Sequence, residues 1–149
     1  MPDIREQLAD DMKTAMRGKE TGRLSTIRMI RSEILNKDKE KGKETSEEDI
    51  LKILQSMVKR GEEAAEQFDK GGRPELAQKE RGEIVVVQTY LPAQLDDEGI
   101  RSAAEAAIAD LGASSPKDMG KVMGVLSKQL SGQATGGRIS QVVKELLNR

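Results

Sequence analysis

The 149-residue chain contains neither Cys nor His, so its chemistry must come from carboxylates, Lys, Arg, Ser, Thr and one Tyr. Disulfides, thiol nucleophiles, thiolate metal sites and imidazole bases are excluded. The most organised set of the remaining groups lies in MGKVMGVLSKQLSGQATGGRISQVVKELL, Met119 to Leu147. At 100° per residue, Lys117, Lys121 and Lys128 gather on one side of a helix, and Met119, Val122, Met123, Leu126 and Leu130 on the other. Gly120 and Gly124 lie beside the lysines, and Gly132, Gly136, Gly137 and Arg138 extend the surface past a Gly-rich corner. Positive charge edged by bare backbone is a surface that a phosphate can approach closely, and helix-start N–H groups suit an anion as well. A mid-helix glycine costs roughly 1 kcal/mol relative to alanine. Two in one helix ask for a reason, and either close packing of a neighbouring helix or clearance for a phosphate backbone would supply it.

The other candidate groups have plainer explanations. Asp96-Asp97 and Glu47-Glu48-Asp49 fall in expected first turns, where the helix dipole favours acidic side chains, so no metal site is expected there. The chain has no GxGxxG after a strand and no GxxxxGK[ST], and Ser127 and Lys128 are adjacent with nothing to orient them. No cofactor, no metal and no autonomous active site are therefore expected. Gly120-x-x-x-Gly124 would mark a membrane dimer face in an apolar segment, a reading that Lys121 and Lys128 remove. Phe68 and Tyr90 are the only aromatics, which leaves almost nothing on which bases could stack.

The elements that must position these groups read as helices throughout. Asp3 caps a first helix carrying Ile4, Leu8, Met12 and Ala15 or Met16, and Gly18 ends it. A second runs from near Gly22 toward Lys41 with Leu24, Ile27, Ile30, Ile34 and Leu35 on one side. Thr45 or Ser46 caps a long third helix with Ile50, Leu54, Met57, Val58, Gly61, Ala64, Ala65 and Phe68 inward. Pro74 opens a fourth, with Leu76, Ile84, Val87 and Leu91 inward, that runs to Tyr90-Leu91-Pro92. The run Ile84 to Val87 has strand propensity, but no second strand exists to satisfy its backbone, so it is expected to be helical. Arg31 and Glu80 each fall within an apolar side, and a buried or half-buried ion pair between them is expected, with Glu83 the substitute partner.

Past Pro92 the helices become shorter and richer in Ala, and the domain boundary is expected there: residues 1–92 as an N-terminal bundle of about four helices, 93–149 as a small three-helix domain. Asp96, Ser115 and Thr135 or Gly136 begin its helices, and Gly112 and Ser131-Gly132 close the first two. An all-α protein follows.

The net charge of −1 conceals blocks. Arg17 to Lys43 carries nine basic and four acidic residues, Glu44 to Glu98 seven and fourteen, and Lys117 to Arg149 six and two. Solvated helix faces account for such runs unless a partner uses them. The polar N-terminus MPDIREQLADD and the absence of a long apolar run give no signal peptide and no membrane contact, and a cytoplasmic location is expected.

The segments LSTIRMIRSEILNK (Leu24 to Lys37), VKRGEEAAEQF (Val58 to Phe68), GGRPELAQKERGEIVVVQTYLPAQL (Gly71 to Leu95) and the MGKVMG…GQATGGR tail together resemble the YqeY family along nearly the full length. That family is similar to the C-terminal helical and tail domains of GatB, the B subunit of the tRNA-dependent amidotransferase that converts Glu-tRNA(Gln) to Gln-tRNA(Gln). The resemblance implies an all-helical protein whose small C-terminal domain is similar to the part that contacts tRNA. It brings a glutamine-dependent carbon-nitrogen ligase label without the region that binds ATP and metal. By motif match the carried positions are Met119, Gly120, Lys121, Gly124, Gly132, Gly136 and Arg138, while Gln133 and Thr135 depart from the family's Gly, basic, Ala, Asp, Gly corner. The expected partner is tRNA or a tRNA-containing complex. The alternative is an adaptor that docks to an aminoacyl-tRNA synthetase, an amidotransferase subunit or itself, and ligase activity is the third.

Overall fold

A computed structural model describes residues 3–148. They form seven α-helices: α1 Ile4–Arg17, α2 Thr21–Lys41, α3 Glu47–Lys70, α4 Pro74–Gln88, α5 Asp97–Leu111, α6 Met119–Gln129 and α7 Gly136–Leu147, with a 3-10 turn at Pro116–Asp118 before α6. No strand occurs among the described residues, and Ile84 to Val87 is helical. None of the described helices is long and apolar enough to cross a membrane. The chain divides into two compact units between Leu91 and Pro92.

In the first unit the capping residues do what their types dictate. The Asp3 carboxylate accepts the Glu6 N–H at 2.8 Å and the Ser46 hydroxyl accepts the Asp49 N–H at 3.2 Å, each satisfying a donor that the helix start leaves open. Ile4, Leu8 and Ala15 of α1, Ile27, Ile30 and Ile34 of α2, and Ile50 and Leu54 of α3 meet in one core with Val87 and Tyr90. Each large aliphatic side chain brought there contributes roughly 1.5–3 kcal/mol. Leu35, expected inward, is 52% exposed, and Thr26 is buried together with Ile27, Ile30 and Ile34, its hydroxyl donating to the Gly22 carbonyl at 3.1 Å.

Gly61 is the contact point of α3 on α4. A Cβ there would lie 2.8 Å from Ile84 Cγ1, so the two helices pack at a distance that a side chain on Gly61 would forbid. Around Asp38 a polar knot ties α1 to the α2–α3 loop. Its carboxylate accepts two Arg5 N–H bonds at 2.8 and 3.1 Å and the Thr45 N–H and hydroxyl, both at 2.7 Å. The Arg5 guanidinium first, and then Thr45, hold the Asp38 carboxyl well below the usual carboxylate range.

The second unit is a three-helix arrangement. Asp96 caps α5 by accepting the Gly99 N–H at 2.8 Å. Ile100, Ala104 and Ala107 of α5 meet Val122 and Leu126 of α6 and Ile139, Val142, Val143 and Leu147 of α7 in its core. The 3-10 turn is held by Asp118, which accepts the N–H groups of Ser114 at 2.9 Å and Ser115 at 3.4 Å. Those two bonds, with a smaller contribution from Lys121, keep its carboxyl below the usual range.

Candidate functional site

The helix α6 buries Val122 and Leu126 and turns its opposite side to solvent. Gly120, Lys121, Gly124 and Lys128 are all exposed on it, and exposed Lys117 precedes it in the 3-10 turn rather than on the α-helical register. A Cβ built at Gly120 or at Gly124 would meet nothing within 4 Å. Packing against a neighbouring helix of the domain therefore does not account for either glycine. The three lysines make no ion pair or hydrogen bond to another side chain among the described residues. The result is a bare strip of helix backbone flanked by ammonium groups that form no ion pair, Lys121 acting on Asp118 only at a distance, the geometry that suits an anion arriving from solvent.

The corner beyond α6 is built differently from the way its sequence reads. Gly132 is buried with φ +77°, a left-handed conformation that favours glycine, and its carbonyl accepts from Gln94 Nε2 at 2.7 Å. It shapes the turn and is not open to a ligand. Gln133 also serves through its backbone, donating to the Leu130 carbonyl at 2.9 Å and accepting the Leu95 N–H at 3.0 Å. The Thr135 hydroxyl accepts the Arg138 N–H at 3.4 Å, so Thr135 supplies an N-capping side chain at the start of α7. Gly136 and Gly137 are exposed, with nothing within 4 Å of a Cβ built on either. Arg138 is not free: its Nη2 lies 2.9 Å from Asp97 Oδ1 at the start of α5. The structure thus keeps Lys117, Gly120, Lys121, Gly124, Lys128 and Gly136 exposed, engages Arg138 with a carboxylate, and assigns Gly132 to the fold.

The expected Arg31–Glu80 ion pair does not form, nor does one with Glu83, among the described residues. Arg31 faces α1, with Nη1 3.0 Å from Met12 Sδ, and lines a small cleft with Arg5, Leu8, Ile34 and Leu35. Glu80 faces α3, its Oε2 3.8 Å from where a Gly61 Cβ would be. Helical periodicity places a residue on a side of its helix but does not say which neighbour covers that side.

The sequence also hid partners. Tyr90, 7% exposed, donates its phenol proton to Asp11 Oδ2 at 2.5 Å; burial, with that carboxylate second, raises the phenol above its usual value. Its being the one Tyr, with a polar end to satisfy when buried, was the available signal. Asp97 as the partner of Arg138 had no such signal. Of the acidic runs, Glu47 accepts the Ile4 N–H at 3.2 Å and Asp49 pairs with Lys41. Among the described residues no group of three or more Asp or Glu is placed to hold a metal ion.

The chain is 28% identical over 148 residues to altered inheritance of mitochondria protein 41, mitochondrial, of Pyrenophora tritici-repentis, covering 95% of this chain and 79% of that protein. It is 36% identical over 89 residues to a Schizosaccharomyces pombe protein, covering 60% and 69%. A third match, at 35% over 91 residues, is the Clavispora lusitaniae protein of the same name as the first, covering 59% of this chain and 53% of that protein. Two of these fungal proteins carry a mitochondrial location in their names, so the cytoplasmic expectation does not describe them. The family profile of the YqeY-like proteins matches residues 5–147, nearly the whole chain, and the chain belongs to that family.

Proposed function

We propose that the C-terminal unit is a non-catalytic module that binds tRNA, or an assembly containing tRNA, by its phosphate backbone. One observation carries the reading: the open α6 face, where Gly120 and Gly124 have no packing partner and, among the described residues, neither Lys121 nor Lys128 forms an ion pair. Glycines that leave a helix weaker without bringing another helix closer are best explained by a ligand that needs the space. With Arg138 engaged by Asp97, three lysines remain, so the affinity is modest and electrostatic. Recognition is of shape and phosphate, because the C-terminal unit contains no aromatic residue on which a base could stack. Among the described residues Ser127 makes no hydrogen bond to a base, and no residue of the face is assigned a ligase step.

The test is titration of labelled total tRNA at low salt with the full chain and with its Lys121→Glu, Lys128→Glu double variant. Binding is expected to the first and to fall at least tenfold for the second. Both sites are exposed, so the fold survives the change. Absence of binding to the unaltered chain, or equal binding to both, defeats the reading.

A further inference from the structure

The first unit carries a second surface that the tRNA reading does not use. Helix α3 packs along α4, and α2 leans on α1 and α4 and touches α3 only sparingly. The seam between α2 and α3 is crossed by side-chain ion pairs, and α4 forms part of its lining. At one end it deepens into a cleft of about 250 Å³ whose apolar wall includes Met29, Met57 and Ile84 and whose floor is Gly61. Met29 is 45% exposed there. Methionine walls adapt to different apolar side chains, which suits a groove that receives a partner.

The charges of the seam are unevenly satisfied. Glu33 and Arg60 bridge it with a 2.7 Å contact, and Lys41 and Asp49 pair farther along. Glu80 and Glu83 both line the cleft, both are half-buried, and neither makes an ion pair or hydrogen bond among the described residues. Burial first, and the neighbouring Glu80 charge second, raise the Glu83 carboxyl above its usual value, against a smaller opposing effect of Lys79. Lys79 acts on Glu83 only at a distance and Arg60 of the same cleft is engaged by Glu33, so neither half-buried carboxylate has a cation in ion-pair contact among the described residues.

We propose that the α2–α3 seam is a docking groove for an amphipathic helix of a partner protein, one that lays Leu, Ile or Met side chains against Met29, Met57 and Ile84 and offers a Lys or Arg to Glu80 and Glu83. Helix-in-groove recognition uses anchors at i, i+3, i+4 and i+7, and the cleft offers an apolar wall to such anchors beside an acidic pair. The basic residue fixes the register, since a carboxylate at the same place would face two like charges. This surface is separate from the α6 face and does not depend on tRNA binding.

The probe is a pair of fluorescein-labelled helical peptides of about 18 residues, each with Leu at i, i+3, i+4 and i+7. They differ only in a Lys or Glu beside the central Leu. Fluorescence anisotropy against the full chain is expected to show micromolar binding of the Lys peptide and at least about tenfold weaker binding of its Glu twin, a difference of about 1.4 kcal/mol. Met29→Glu, at an exposed position, removes binding without changing the melting temperature. Glu80→Gln with Glu83→Gln abolishes the preference between the peptides. The proposal is overturned by equal affinity for the two peptides, by no saturation of either at roughly 100 μM, or by binding that survives Met29→Glu. It is equally overturned if sedimentation shows the chain pairing with itself and Met29→Glu dissolving the pair, for the occupant is then a second copy.

Discussion

At the residue scale the informative contrast is between glycines of one type in two surroundings. Gly61 lies under Ile84, and Gly124 lies under nothing. Gly61→Val is expected to destabilise the chain by about 1–3 kcal/mol, because the added carbons must displace a buried side chain that is already well packed. Gly124→Ala is expected to stabilise it by up to about 1 kcal/mol, since the helix gains propensity and meets no obstacle. Urea unfolding of the two variants checks the pair of signs. Loss of stability in Gly124→Ala would reveal a packing role for that glycine. On the proposed function the same alanine also weakens tRNA binding, so stability and affinity move in opposite directions.

At the element scale the first unit depends on how α1 and the α2–α3 loop are tied together. Asp38 is the tie, and its folded-state pKa lies below the ordinary 3.8. A depressed carboxylate contributes stability that is fully present above the unfolded value and is lost as pH falls through the folded one. Asp38→Asn is therefore expected to melt earlier than the unaltered chain near neutral pH, and the difference is expected to shrink steadily below about pH 4. Thermal melts by circular dichroism across that range measure it, and a difference that stays constant with pH would show that the Arg5 and Thr45 bonds do not need the charge. The helix starts themselves were legible because Asp3, Ser46, Asp96 and Thr135 are capping types and accept the bonds such residues accept. The end of α4 was less so. It stops at Gln88, short of the Tyr90-Leu91-Pro92 where apolar spacing continued, since a spacing pattern does not distinguish a helix from the turn that carries Tyr90 into the core.

At the scale of the whole molecule, periodicity was enough to give an all-α chain, and the match over residues 5–147 gives its family. What a single sequence withheld was everything that depends on which helix faces which. Arg31 and Glu80 shared a description, each a charge on an apolar side, yet one is turned to α1 and the other to α3. Gly120, Gly124 and Gly132 were all expected on the binding surface, and only the packed domain separates two open positions from a buried glycine at the helix end. The α2–α3 seam is an interhelical distance, which no residue pattern within either helix encodes.

The central claim is that free lysines on an open face of α6 hold an RNA backbone. The measurement that tests it most directly is the salt dependence of tRNA affinity for the full chain. Three phosphate contacts give a slope of log K on log salt of roughly −2 to −3, a loss of about 15- to 60-fold between 50 and 200 mM. The Lys121→Glu, Lys128→Glu variant is predicted to lose most of that slope along with its affinity. An affinity that does not change over this range, or a slope that the two substitutions leave intact, would contradict the account.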